Sequence, residues 1–259
     1  MTGLNSVTLE GNLTAPPELR EFESGSTLLR LLLTVRTSEP RRRLEERPLL
    51  QDHPAAFRLT LVLWVLGLFV FIALAVPALA DLVQAVDDRI YQLATDLEAS
   101  VPVALAKGLD YIGSTWVTAP VMILVGLYLT LRRRWEALTF WFLAMVGSQL
   151  LIGPMKNLYE RARPPLPLVE TSGFSFPSGH AVAGAAIAVS LVIVLVPAGT
   201  KRRNLEMLAA AFAVVMALSR VYLRAHWLSD ALGGAALGAA VAIGAALLVH
   251  RIEAIRDRR

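Results

Sequence analysis

The chain of 259 residues contains no cysteine. This excludes disulfides, thiolate-bound zinc and any chemistry that starts from a cysteine nucleophile. Residues 1–54 show no apolar run at their start, so no cleavable secretory signal is expected. The first apolar block is then expected to act as an uncleaved anchor. Carboxylates and histidines are not clustered in the manner of a two-metal site, so no metal and no other cofactor is expected. Neither charge sign dominates: 25 Lys and Arg stand against 21 Asp and Glu, a net of +4 whose placement matters more than its size. Histidine is scarce, at four residues.

What the chain has instead is apolar surface. It is 55% hydrophobic, with a mean hydropathy of +0.55. The apolar residues gather into blocks at 57–80, 116–131, 137–155, 181–198, 205–223 and 231–249. Crossing a hydrocarbon core takes roughly 20 helical residues. A single such block reads equally well as a buried core helix. Five or six cannot all be buried in a soluble domain of this length. Between the first two blocks, residues 81–114 are too polar to span. Leu82, Val83, Val86, Ile90, Leu93 and Leu97 recur there at three- and four-residue steps, which predicts one amphipathic helix on the membrane surface.

Basic residues in short loops mark the cytoplasmic side. Arg41, Arg42, Arg43 and Arg47 precede the first block, Arg132, Arg133 and Arg134 follow the second, and Lys201, Arg202 and Arg203 follow the fourth. Arg251, Arg256, Arg258 and Arg259 follow the sixth. Six spans place all four clusters inside and both termini in the cytoplasm. The loops at 156–180 and 222–230 then lie outside, although Arg161, Arg163 and Arg224 are found in them. Those exceptions call for a functional reason. His53 and His250 sit at cytoplasmic edges and read as interfacial.

Residues 1–43 differ in character. Stretches 6–12 and 27–36 suggest short strands between Pro, Gly and Ser punctuation. Residues 4–20 resemble the opening of bacterial single-stranded DNA-binding proteins, covering about a third of such an OB-fold. The strands that would close the barrel are missing, and Phe22 is the lone aromatic available for base stacking. No nucleic-acid partner is expected.

Three clusters fall in the two outside loops. In the first, Lys156 and Arg163 are seven apart, so a continuing helix would align them across two turns. Two cations aimed at one point suit an anion with several oxygens. The plain alternative is a pair of snorkelling anchors. In the second, Pro177-Ser178-Gly179-His180 precedes the fourth block. Ser178 is placed to cap that helix, whose first N–H groups form an anion site with His180 at its lip. An ordinary turn and cap would look the same. In the third, Ser219-Arg220 is followed by His226 and Asp230, four residues apart and on one face if helical. A carboxylate there would hold the imidazole in one tautomer and leave its other nitrogen free to attack. A surface His–Asp pair of little energetic weight is the bland reading.

Taken together, Lys156–x6–Arg163-Pro164, Pro177-Ser178-Gly179-His180 and Ser219-Arg220–x5–His226–x3–Asp230 resemble the three motifs of the type 2 phosphatidic acid phosphatase family, in order and with matching spacing. The resemblance implies an all-α bundle of six transmembrane helices over residues 55–250. Residues 1–54 would be a β-like or disordered cytoplasmic extension, and 251–259 a basic tail. It also implies roles. His226 would be the nucleophile that takes up the phosphoryl group, Asp230 would orient it, and His180 would protonate the leaving oxygen and later activate water. Lys156, Arg163, Arg220, Ser178 and the Gly179 amide would hold the phosphate oxygens. The expected partners are the bilayer and a lipid phosphate monoester or diphosphate of the phosphatidate, phosphatidylglycerol phosphate or undecaprenyl diphosphate class. The expected site faces the extracytoplasmic side of the cell membrane. The resemblance extends to vanadate-dependent haloperoxidases, whose cradle is alike but whose chains are soluble as a rule. A non-enzymatic membrane protein with a nucleic-acid-binding N-terminal fragment is the remaining alternative, and it leaves the histidines unexplained.

Overall fold

A computed structural model describes residues 12–13, 15–31, 33–34, 54–197 and 199–256. The chain divides into two units, Met1–Arg47 and Pro48–Arg259. In the first unit, β1 (Asn12–Leu13) pairs antiparallel with β4 (Leu33–Thr34). Strands β2 (Glu18–Glu21) and β3 (Thr27–Arg30) form a hairpin in the register Glu18↔Arg30 to Glu21↔Thr27. The stretch expected as one strand at 27–36 is therefore two. Every residue of β2 and β3 is exposed, so this hairpin buries no core of its own. Residues 1–11, the Arg41–43 and Arg47 cluster, His53 and Arg258–259 lie outside the described residues.

Val76 ends the first apolar block early. It precedes Pro77, whose ring disfavours the helical conformation in its predecessor, and Val76 is extended at φ −98°, ψ 115°. Helix α1 (Pro54–Ala75) stops there, and α2 (Pro77–Asp96) starts with proline in the first turn, where no N–H is missed. The amphipathic segment is not one helix as expected. A second break at Leu97–Ala99 separates α2 from α3 (Ser100–Gly113), which again carries a proline, Pro102, in its first turn. After Ser114 the chain turns by 43° into α4 (Thr115–Leu131).

The later blocks become α5 (Trp135–Tyr159), α6 (Gly179–Leu195), α7 (Thr200–Tyr222) and α8 (Leu228–Arg256). Among the described residues, α1, α5, α7 and α8 are long and apolar enough to cross a membrane, and the bent pair α3–α4 makes a fifth span if counted as one. The expected count of six also needs α6, which is apolar but has only 17 residues.

Helix α6 is the centre of the bundle. Ala181 through Ile187 are all buried, and the helix packs most extensively on α8 and α7. An apolar solvent gives helices little hydrophobic reason to associate, so close backbone approach takes over. A Cβ on Gly238 would sit 2.1 Å from the Val182 carbonyl oxygen, and one on Gly234 would sit 2.8 Å from that of Ser178. These glycines thus serve contact within the chain. They also bring the start of α8 against the start of α6, which matters for the site.

The two ends of the bundle differ. At one, Arg134 donates to the Val194 carbonyl (2.9 Å), and Arg256 approaches Glu136 (3.7 Å). The end of α5, the start of α6, the end of α7 and the start of α8 meet at the other.

Candidate active site

Helix α5 ends where Glu160 turns left-handed (φ 44°), its N–H still bonded to the Lys156 carbonyl at 3.0 Å. The helix does not reach Arg163, so a shared helix face is not what unites the two cations. They grip one loop instead. Arg163 Nη2 donates to Ser172 O (2.8 Å), Arg163 Nε to Gly173 O (2.9 Å) and Lys156 Nζ to Phe174 O (2.5 Å). Two residues on, Phe176 is fully buried between Phe71 and Tyr159, with ring centroids 5.0 and 4.9 Å away. The loop is pinned from both sides.

It delivers Ser178 as the N-cap of α6. The hydroxyl accepts from Ala181 N at 3.5 Å, and the Ser178 N–H donates to Asp230 O at 3.1 Å. Ser178 is fully buried, so its hydroxyl is engaged with the helix. The neighbouring Gly179 N–H begins the helix and has no intrahelical acceptor.

Helix α7 closes in a Schellman motif. Arg224 is left-handed (φ 54°), its N–H bonds Val221 O (2.9 Å), and Ala225 N bonds Arg220 O (3.0 Å). Glycine is usual at that position. The arginine repays its backbone by reaching Glu98, 2.9 Å away, and that structural pairing accounts for its place in this loop. Immediately after the turn comes His226, which is therefore not on a helix, while Asp230 is in the first turn of α8. The expected i, i+4 helix pair is instead a loop residue facing a helix start. His226 Nδ1 lies 3.8 Å from Asp230 Oδ2, and Ser175 Oγ lies between, 3.4 Å from Nδ1 and donating to Oδ2. Asp230 Oδ2 also accepts from Trp227 N (2.9 Å).

The other ring nitrogen settles the tautomer. His226 Nε2 is 3.2 Å from Arg163 Nη1. A guanidinium only donates, so Nε2 must carry the lone pair and Nδ1 the proton. Burial pushes the His226 pKa down to about 4, against the pull of Asp230 and with the help of Arg163 and Arg220. The imidazole is neutral near pH 7. Arg163 too is pressed below its usual range, by burial and then by the charge of Arg220. Cations crowded in this way await an anion.

A second group faces the first. Arg220 Nη1 and His180 Nε2 both point at Asp110 Oδ1 from α3, the histidine at 3.2 Å. Arg220 Nε is buried without a hydrogen-bond partner. The structure therefore gathers all eight expected residues at one end of the bundle, with Lys156, Ser178 and Gly179 as the framework of the loop and helix start. Sequence reasoning missed Asp110, Asp87, Gln84 and Ser175. It singled out Arg161 as an anomalous outside charge without giving it a task. Ser175 stands two residues before the Pro177–His180 cluster, beside the residues that were chosen. The acids were visible only as part of an amphipathic segment.

Three cations and two imidazoles gathered at one end of an apolar bundle are groups that an enzyme for a phosphorylated substrate at a membrane would use. Residues 137–254 match the PAP2 superfamily. The chain is 31% identical over 174 residues to phosphatidylglycerophosphatase B of Bacillus subtilis (strain 168), covering 65% of this chain and 85% of that protein. It is 32% identical over 151 residues to decaprenylphosphoryl-5-phosphoribose phosphatase of Mycobacterium tuberculosis (strain CDC 1551 / Oshkosh), covering 53% and 75%. The crystal structure of a transmembrane PAP2 type phosphatidylglycerolphosphate phosphatase from Bacillus subtilis superposes with a TM-score of 0.63 at 29% identity, over 75% of this chain and 96% of that one. The chain belongs to the PAP2 superfamily, and it is a multi-pass membrane phosphatase. The haloperoxidase-like and non-enzymatic alternatives give way to this assignment.

Proposed function

We propose that the protein hydrolyses a lipid phosphate monoester or diphosphate through a phosphohistidine on His226. One observation carries this reading: the lone-pair nitrogen of a buried, neutral imidazole lies beside Arg163, where the positive charge converges. In the first step Nε2 attacks phosphorus and the bond to the lipid oxygen breaks. His180 gives that oxygen a proton. In the second step water attacks phosphorus, His180 takes the water's proton, and the P–N bond breaks to release phosphate. Asp230 steadies the imidazolium character that develops at Nδ1–H.

Lys156, Arg163 and Arg220 supply the charge that phosphoryl transfer needs most. The Gly179 amide adds a donor at the positive end of α6. Asp110 supports the convergence, because a single carboxylate oxygen draws in both Arg220 and His180 and so stands where a phosphate oxygen would. With the positive charge supplied by side chains, the reaction we propose needs no metal. The segregation of ends supports an extracytoplasmic site: Arg132–Arg134, Lys201–Arg203 and Arg256 lie opposite the mouth, as the positive-inside rule asks. Six spans and cytoplasmic termini follow from the same charge pattern.

The test is phosphate release, in chelator, from phosphatidate, phosphatidylglycerol phosphate, undecaprenyl diphosphate and decaprenylphosphoryl-5-phosphoribose. Rapid alkaline quench during turnover should trap acid-labile phosphate on His226. Acid-stable label on a hydroxyl, or activity that returns only with Mg²⁺ after EDTA, would overturn the mechanism.

A further inference from the structure

Arg161 is the cation in the outside loop that the three motifs leave without a task. In the structure it is mostly buried, and both of its terminal nitrogens are engaged. Nη1 donates to Asp230 Oδ1 and to Ser229 Oγ, both at 2.6 Å. Nη2 donates to Asp87 Oδ2 at 2.7 Å and to Gln84 Oε1 at 2.8 Å. The guanidinium also lies over the Trp227 ring, 5.7 Å from its centroid. Asp87 is only 2% exposed although α2 reads as an amphipathic surface helix. Its carboxylate does more than pair with Arg161: it accepts from Ser229 N (2.9 Å) and Ser229 Oγ (2.6 Å), holding the first turn of α8 where Asp230 sits.

We infer that Asp87 and Arg161 are positioning residues for the nucleophile, a clamp from α2 that fixes Asp230 so that only its Oδ2 is presented toward Ser175 and His226. The inference rests on His226 being the nucleophile. The geometry is specific. With Oδ1 held by Arg161, the carboxylate cannot rotate, and its free oxygen receives Ser175, Trp227 N and the Nδ1 side of the imidazole. A buried Asp–Arg–Asp arrangement is costly to assemble unless every lone pair and proton is used, and here the contacts are used on both carboxylates. Asp87 lies outside the 137–254 segment that matches the superfamily, so α2 contributes to the site from beyond that segment.

The experiment uses the full chain in detergent with p-nitrophenyl phosphate as the probe. Arg161→Gln, Arg161→Lys, Asp87→Asn and His226→Ala are compared for kcat, KM, inhibition by inorganic phosphate, pH profile and thermal unfolding. Misplacing a reacting group by about 1 Å costs on the order of 100-fold in rate. Arg161→Gln and Asp87→Asn should therefore lose roughly 10- to 100-fold in kcat while the phosphate inhibition constant stays within about threefold. The acid limb gives a second reading. The charges facing His226 are Asp230 from α8, Arg163 from the loop and Arg220 from α7. Without Arg161 the Asp230 carboxylate is less neutralised and stabilises the imidazolium more, so the limb should move to higher pH. Arg161→Lys, which keeps the charge, should recover part of both effects. If Arg161→Gln and Asp87→Asn retain wild-type kcat and pH profile while His226→Ala is inactive, the clamp is refuted and the nucleophile stands. A fall in kcat matched by weaker phosphate inhibition, earlier unfolding and an unmoved limb assigns the network to folding alone and also refutes the clamp. Turnover by His226→Ala removes the nucleophile and the clamp with it.

Discussion

The two histidines of the mouth are held in opposite ways. His226 is 4% exposed, follows a closed turn, and has Arg163 on one nitrogen with Ser175 and Asp230 on the other. His180 stands in the first turn of α6 with a side chain 26% exposed and one protein partner, Asp110. A nucleophile gains from immobility, since its reacting atom must meet phosphorus along one line. A group that first gives and then takes a proton must serve two oxygens in succession, and a looser seat suits that work. The contrast favours His226 as the attacking group without reference to relatives.

The comparison can be broken most directly by deletion. His226→Ala should lower turnover by at least roughly a thousandfold and abolish the quenched phosphoenzyme, whatever the leaving group. His180→Ala should cost about 100- to 10,000-fold on a lipid substrate, the usual span for a lost general acid. That defect should shrink on p-nitrophenyl phosphate, whose leaving oxygen needs little protonation. Rescue of His226→Ala by the good leaving group, or label on His180, would exchange the two roles.

A subtler effect at His226 is electrostatic. Because the folded pKa of His226 is lowered to about 4, the nucleophile should stay active well below the usual histidine range and fail only as pH falls through that value. Asp230 raises this pKa, so Asp230→Asn should move the titration of His226, followed by nitrogen NMR, to still lower pH. An upward shift would contradict the pairing. The orientation can be tested at the two ends of the bundle. Cysteine replacing exposed Ser172 should react with an impermeant maleimide in intact cells, and cysteine replacing Lys201 should not. The smallest expected effect belongs to Asp110→Asn. Removing one anion beside Arg220 should strengthen inhibition by inorganic phosphate about three- to tenfold, as expected for a partly exposed charge pair.

How much of this was legible beforehand depends on the range of the interaction. The six apolar blocks all became helices, because that signal is local, whereas the break at Pro77 fell inside a block expected at 57–80. The candidate site residues could be picked out because motif spacing is local as well, and the structure brings them to one end of the bundle. Their geometry was not legible. Lys156 and Arg163 were expected on one helix, yet Glu160 ends it, and what unites them is a loop whose carbonyls they share. His226 and Asp230 are four apart but sit on either side of a helix start. Asp87 and Arg161 are 74 residues apart, and no periodicity links an amphipathic helix to a loop cation. Gly238 of α8 makes the same point: a small residue says that something approaches closely, not what, and only the bundle identifies the Val182 carbonyl.

Asp110 gives the mouth a resident anion. With it in place, the resting enzyme does not hold Arg220 bare, so arrival of a lipid phosphate is an exchange of one anion for another. The free energy of capture is then a difference between two ion pairs, smaller than either. Departure benefits from the same exchange, because the carboxylate stands ready to take back the arginine as inorganic phosphate leaves. An enzyme whose product keeps the charged part of its substrate would otherwise be slowed by its own reaction, and a tethered competitor on α3 eases turnover at the expense of tight binding.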